Sequence, residues 1–216
     1  MSTIFRKSKK CAVCQAKSEQ TVIGSTNSFG YSDLDLRPPE MRRSTMCYWP
    51  EKCPACGYVA YDIERETTIQ KDWLASEQYV HCEGHHFASS LAAEFYQIYL
   101  TAKETGNCQD AFNASLNAAW ASDDCCDTEN AALCRILAIP FLMEEISQNP
   151  QMAETLTIVL ADVLRRAGKF DQLIEQYTDM VFSEDILNQI CQFQLEKAKQ
   201  KDTACYRVSD VIPGEE

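Results

Sequence analysis

Apolar residues change their spacing along this chain near residue 68. Beyond that point they recur at helical intervals. Leu91, Phe95, Ile98, Tyr99 and Ala102 form one stripe, broken at Gly106-Asn107, and Phe112, Leu116, Ala119 and Trp120 form the next. Residues 129–147 are strongly apolar but contain Pro140, which lacks an N–H and clashes with the preceding turn, so a kink or split is predicted there. Asn149-Pro150 reads as a helix start, an N-cap followed by Pro at the first helical position. Met152, Leu156, Val159, Leu160, Val163 and Leu164 then share one face up to Gly168. Phe170, Leu173, Ile174, Tyr177 and Val181 stripe a further helix, and Ile186, Ile190 and Phe193 mark a last one, with a frayed tail after Val208.

Before residue 68 the pattern is short-range. Residues 1–10 read as a polar, basic, mobile arm. Thr21-Val22-Ile23 reads as a short strand closed by Gly24, and residues 24–43 read as a long loop. Ser44 to Trp49 is β-prone, and Tyr58 to Tyr61 suits a strand or a helix start. The pairs Cys11/Cys14 and Cys53/Cys56 mark residues 1–68 as a small zinc-ribbon-like module, and the expected fold is mainly α, with an antiparallel helical domain over residues 69–216. Phe95, Tyr99, Ala102, Ala111 and Ala118 surround Gly106 at offsets that also hold Thr157, Ala161, Leu164, Leu173 and Met180 around Gly168. The helical part thus looks repeat-like and tetratricopeptide-like, although the two glycines lie 62 residues apart, off the 34-residue period. Its core is expected from Leu91, Phe95, Tyr99, Phe112, Trp120, Leu137, Leu156, Val163, Leu173 and Tyr177, independent of any metal.

Charge sharpens the division. Residues 1–56 carry nine Lys/Arg against five Asp/Glu, whereas residues 57–216 carry eleven against 27. The acidic bulk opposes polyanions and favours solubility, so nucleic acid is an unexpected partner. No run of about 18 apolar residues occurs, so no membrane span is expected. No apolar stretch follows the basic start, so no secretory signal is visible and a cytoplasmic location is expected. The twelve cysteines are then expected as reduced thiols rather than a disulfide framework. Cys108, Cys134 and Cys191 fall in or beside helical apolar patterns, where a free thiol acts as a small hydrophobe. The adjacent Cys125 and Cys126 read as small residues at a helix end.

Two CxxC pairs carry the strongest chemical signal: Cys11 and Cys14, then Cys53 and Cys56. Two thiolates at this spacing grip one metal from a tight turn, and two such turns supply the four sulfurs that tetrahedral zinc prefers, at roughly 2.3 Å each. Pro54 stiffens the second knuckle, and Gly57 allows a positive φ just after it. The 38 residues between Cys14 and Cys53 exceed a usual ribbon interval and imply an inserted loop. Four thiolates close the coordination shell, so the expected cofactor is one structural Zn2+ that folds the N-terminal segment. A second cluster, His81, Cys82, Glu83, His85 and His86, holds all three histidines. It is read first as a surface turn, with a second metal site at His81, Cys82, His85 and His86 as the alternative. The charged loop Asp33 to Ser44 sets acids and arginines around Pro38-Pro39. It is read as a solvated loop, or as a recognition loop using Asp35, Arg37, Glu40, Arg42 and Arg43.

The knuckle Cys53-Pro-Ala-Cys56-Gly57-Tyr58, with Asp35-Leu-Arg37-Pro38-Pro39-Glu40 upstream, resembles an uncharacterised bacterial family defined only by a domain of unknown function. The resemblance covers most of the chain and is firmest over residues 11–80. It implies a paired-CxxC zinc domain followed by a helical, sometimes tetratricopeptide-like, region, and implies no activity. Ala12 and Gln15 stand where the CPxCG form has Pro and Gly, which leaves the turn geometry of the first knuckle open.

No nucleophile–base arrangement, Gly-rich phosphate loop or paired-carboxylate signature is visible, so nothing argues for an enzyme. The function expected first is a zinc-containing interaction or scaffold protein with a protein or peptide partner, since stacked helix pairs offer an extended concave surface. The alternatives are a nucleic-acid-associated zinc-ribbon protein using Arg6, Lys7, Lys9 and Lys10, and a thiol- or metal-handling protein.

Overall fold

A computed structural model describes residues 2–211. Four short strands precede nine helices in it: β1 Thr3–Lys10, β2 Lys17–Ser25, β3 Glu51–Lys52 and β4 Val59–Ala60, then α1 Lys71–Leu74, α2 Glu77–Val80, α3 Ser90–Thr105, α4 Cys108–Asp123, α5 Thr128–Gln148, α6 Ala153–Arg166, α7 Phe170–Tyr177, α8 Asp185–Lys199 and α9 Val208–Val211. The chain is mainly helical, with a small antiparallel strand region at its N-terminus. The helices α3 to α6 pack each against the next, and α8 covers α6 and α7.

Residues 3–10 of the expected mobile arm are not free, and residue 1 lies outside the described residues. Residues 3–10 form β1 and pair antiparallel with β2, from Thr3 opposite Ser25 to Lys10 opposite Lys17. The cause is Lys9, which is buried although the rest of the strand is exposed. Its ammonium sits 2.6 Å from Glu51 and 2.9 Å from Asp62, and Glu51 accepts from the Ile63 N–H. Burial alone would lower the Lys9 pKa, but Glu51 and Asp62 raise it above the usual lysine value. One charge thus staples β1 to β3 and to the segment after β4.

Two further expectations are corrected. Ser44 to Trp49, read as β-prone, fall in and just after a 3-10 helix, Arg43–Tyr48, that buries Thr45 and Met46. Of the kink or split expected at Pro140, the split does not occur: helix α5 runs through it. Pro140 lies on the exposed face, as does Ile136 one turn earlier, so the carbonyl that Pro leaves without a donor faces water. The helix starting near Asn149-Pro150 begins slightly later, with Met152 as its N-cap and Ala153 as its first residue.

The glycine breaks fall where expected. Gly106 and Gly168 both take a positive φ after a helix. In each the following residue donates back five positions, Asn107 to Ala102 O and Lys169 to Leu164 O, both at 2.9 Å. This closes the helix end and turns the chain for the next helix. Phe95, Tyr99, Phe112, Trp120, Val163, Leu173 and Tyr177 are buried, and Leu91, Leu137 and Leu156 pack partly buried against them. One connected core runs from Cys11 through Leu34, Tyr58 and Ile63 to the last long helix at Ala198. Among the described residues no helix is long and apolar enough to cross a membrane.

Candidate metal centre and the buried loop clamp

The four knuckle cysteines converge. Cys11 Sγ lies 3.7 Å from Cys56 Sγ, Cys14 Sγ lies 3.6 Å from Cys53 Sγ, and all four sulfurs fall within 4.8 Å of one another. Four sulfurs bound to one ion at about 2.3 Å stand roughly 3.8 Å apart along each tetrahedral edge, so this arrangement can hold a metal ion with little rearrangement. Cys11 and Cys53 are fully buried, and Cys14 and Cys56 are half-buried.

Each knuckle caps a hairpin in the same way. Lys10 pairs with Lys17 across the first, and Lys52 with Val59 across the second, seven residues apart in both. The Cys11 N–H donates to Ala16 O at 2.9 Å, and the Cys53 N–H to Tyr58 O at 2.8 Å. Gln15 N–H donates back to Cys11 O, and Gly57 N–H to Cys53 O, both at 2.9 Å. Gln15 accordingly takes a φ of 63°, matching the 76° of Gly57. The first knuckle therefore adopts the geometry of the CPxCG form without its glycine. A left-handed non-glycine residue costs about 1 kcal/mol, which the Gln15 side chain offsets in part by donating to Ala12 O at 2.9 Å. Gln15→Gly is expected to stabilise the metal-loaded protein by about 0.5–1 kcal/mol, read as slower loss of metal to a competing chelator. Equal or faster loss would show that the Gln15 amide matters more than the backbone strain.

Backbone N–H groups turn towards the sulfurs. The Ala16 N–H, with lesser help from the neighbouring sulfurs, lowers the Cys14 thiol to about 7 against the opposing effect of burial. Burial raises the Cys56 thiol, opposed by the Tyr58 N–H. It also raises Cys11, opposed by the Cys14 and Val13 N–H groups. These donors are aimed where thiolate charge sits when a cation is bound. The second knuckle is also held from the helical side: the Tyr79 hydroxyl of α2 donates to Gly57 O and accepts from the Val59 N–H, both at 3.0 Å. Tyr79 carried no sequence signal beyond its aromatic character.

The charged loop is turned mostly inward. Asp35 is fully buried. Its Oδ2 accepts from Trp120 Nε1 at 2.9 Å on α4, Arg135 Nη2 at 3.2 Å on α5 and Arg166 Nη1 at 2.5 Å on α6. Asp123 completes the set, with Arg135 Nη2 and Arg166 Nη2 each 2.7 Å from its Oδ2. Two aspartates and two arginines thus balance inside three helices. Burial alone would raise the Asp35 carboxyl, but Arg166, Arg135 and the Trp120 N–H outweigh it and hold the group below the usual carboxylate range.

Arg37 is buried and reaches Asp124 at 2.5 Å. Arg43 pairs with Asp33 at 2.6 Å and donates to Pro38 O. Glu40 stays exposed and accepts from the Ser44 hydroxyl. Arg42 is exposed; its carbonyl accepts from the Thr45 hydroxyl, and its guanidinium has no partner among the described residues. The adjacent Arg165 holds the C-terminal stretch, donating to Asp202 O and Ala204 O and pairing with Asp162 at 2.6 Å. That stretch bridges the loop in turn: the Leu34 N–H donates to Tyr206 O at 2.9 Å. The signal that could have shown the clamp was the pair Arg165-Arg166, with Asp162 one turn before them, on a helix whose buried positions are otherwise apolar.

The histidine cluster does not gather. Among the described residues, Cys11, Cys14, Cys53 and Cys56 form the one group of at least three His, Cys, Asp or Glu whose ligand atoms converge. His81 and His86 are exposed, Cys82 is buried in a 3-10 turn, and the His85 ring meets Tyr96 edge-on at 5.6 Å. All twelve cysteines are free thiols, with Cys134 and Cys191 buried and Cys125 and Cys126 exposed on the turn after α4. Compared with known proteins, the chain matches no protein-family model, no curated protein and no solved structure.

Proposed function

We propose that this chain is a cytoplasmic interaction or scaffold protein whose N-terminal part, residues 1–68, is built around one structural Zn2+, and whose helical part, residues 69–216, presents a tetratricopeptide-like surface to a protein or peptide. The observation that carries the metal reading is the four-sulfur cage, with sulfurs 3.6–3.7 Å apart in the two cross-knuckle pairs and backbone N–H groups aimed at them. All-sulfur tetrahedral sites select zinc or iron–sulfur chemistry. A cage sized for a single ion favours zinc, and four protein ligands leave no open position for catalysis. The bacterial-family resemblance in the knuckle and loop motifs points the same way.

Support for the interaction reading comes from the helices packed in succession and from the cations of the first strand. Lys9 is spent on Glu51 and Asp62, and Lys7 lies 3.6 Å from Glu64, which leaves Arg6 and Lys10 as the cations of β1 without an acidic partner among the described residues. The nucleic-acid alternative therefore has fewer free charges than the sequence offers, against an acidic bulk.

Protein purified under reducing conditions is expected to hold about one zinc per chain, and Cys53→Ser to release it. Metal analysis without zinc, or an iron–sulfur absorbance band, overturns the metal reading. Pull-down from the native cytoplasm, with nucleic-acid columns run in parallel at physiological salt, tests the partner class. Tight salt-resistant retention on nucleic acid and no protein partner would reverse the ranking.

A further inference from the structure

The charged loop, the metal module and α4 enclose a cavity of about 420 Å³. Its volume lies within the range of small-ligand sites. Flat side chains build its walls: Trp49, Tyr61 and Trp120, with Pro38 and Pro39 from the loop. Leu36 stands at the same cavity, 47% exposed and with φ at 68°, held outward between the buried Asp35 and Arg37. Asp110 lines this cavity and also a second one across Tyr61, but its carboxylate is already spent on Arg65 and Asn107 Nδ2, which leaves Arg42 as the uncompensated charge of the first cavity.

Its unspent polar groups define a ligand. Arg42 lines the cavity, and its guanidinium has no acidic partner among the described residues. Asn117 is 6% exposed; its Nδ2 donates to the Tyr61 hydroxyl at 2.7 Å, and its Oδ1 has no partner among the described residues. Because that hydroxyl oxygen accepts from Asn117, its own hydrogen remains free to donate. Asn113, one turn before Asn117, adds an amide without a described partner. The cavity thus offers a fixed cation, an O–H donor and a carbonyl-type acceptor beside aromatic faces. A group that uses all of them carries a carboxylate, an amide N–H and a flat apolar body.

We propose that this cavity binds an acidic peptide segment: a carboxylate held by Arg42 and the Tyr61 hydroxyl, a peptide N–H given to Asn117 Oδ1, and an aromatic or proline side chain laid against Trp49, Tyr61 and Trp120. This rests on the peptide-binding reading above and names the place and chemistry. The carboxylate comes from a chain terminus or from an acidic side chain, and both meet Arg42 in the same way.

Three probes separate these cases: N-acetyl-phenylalanine, with a terminal carboxylate; N-acetyl-aspartyl-phenylalaninamide, with a side-chain carboxylate; and the neutral N-acetyl-phenylalaninamide. Binding to the full-length, metal-loaded protein is followed by titration calorimetry and by the fluorescence of Trp49 and Trp120. At least one acidic probe is expected to bind with Kd on the order of 1 mM or better, as its size allows. The neutral amide and the Arg42→Ala variant are expected to weaken binding by roughly tenfold or more, the usual effect of losing a charge-assisted hydrogen bond. Arg42→Lys is expected to restore part of it. The Arg42 guanidinium has no partner among the described residues, so replacing the side chain is expected to leave the thermal midpoint unchanged. The acidic probe that binds better identifies the carboxylate's source. No binding by either acidic probe, equal binding of acid and amide, or unchanged affinity in Arg42→Ala would overturn the assignment. A protein partner still captured in the last case, by the Arg42→Ala protein as well, would leave the interaction reading standing on another surface.

Discussion

Replacing Asp35 with Ala is expected to destabilise the protein by about 3–5 kcal/mol, the usual cost of leaving a buried charge without its partner. In a chain of this size that shifts the thermal midpoint by roughly 6–20 °C. Asp35 is fully buried and accepts from three side chains on three helices. Its removal strands Arg135, itself 1% exposed, and Arg166 with Asp123 as their shared acid. The Nε atoms of both arginines are already buried without a described partner. Asp35→Asn keeps the shape but not the charge and is expected to lose most of the same stability. The double variant Asp35→Asn/Arg166→Gln is expected to recover part of it, because the cycle removes charge of both signs. Thermal unfolding of the three variants checks this. Loss below about 1 kcal/mol in Asp35→Asn would mean that the cluster serves no stabilising role.

The pH dependence of this clamp follows from the same geometry. The folded-state carboxyl of Asp35 is held below its unfolded value by Arg166, Arg135 and Trp120, in spite of its burial. Its contribution is therefore fully present above the unfolded value of about 3.9 and is lost only as pH falls from there through the folded value. Stability that declined already between pH 7 and 5 would have to come from another group, and Asp35→Asn would not remove that decline.

These effects also show what was legible in the residues. The knuckles could be read because spacing alone places two sulfurs on one turn, and their four sulfurs do meet. The helix breaks at Gly106 and Gly168 could be read because glycine advertises a positive φ. Cys126 and Lys201 end helices in the same left-handed way, with Asp127 donating to Ser122 O and Asp202 to Lys197 O, yet neither residue type announces it. The Asp35 clamp was hidden for a different reason. Acids and arginines in a proline-containing segment look alike whether they face water or each other, and the deciding partners lie 85 to 131 residues away in sequence. Lys9 shows the same blindness: a cation in a basic run gives no sign that Glu51 and Asp62 will enclose it.

Removing the metal is expected to weaken the helical region as well as the knuckles, in contrast to the metal-independent helical core that apolar spacing alone suggests. The buried loop is strung between the two knuckles: Cys14 stands before it and Cys53 after it. A bound ion closes this 38-residue interval and so restricts the unfolded chain, while its binding free energy adds to folding. With the knuckles open, Asp35 reaches Arg135 and Arg166 only against the full cost of ordering the loop. Tyr79 and the Trp49 and Tyr61 rings that meet Phe95 lose a rigid support at the same time. Chelation is therefore expected to lower the midpoint of the helical circular-dichroism transition by about 10 °C or more, with the knuckles and helices melting together. A fragment of residues 69–216 is expected to be less stable still, since it lacks Asp35 altogether. The discriminating measurement is chelation of the Asp35→Asn variant. If the ion acts on the helices through the loop, its removal costs this variant's helical transition much less than it costs the unaltered protein. Equal losses in both would place the coupling in the knuckle contacts around Tyr79, and an unchanged helical midpoint in the unaltered protein would show that residues 69–216 fold without the metal.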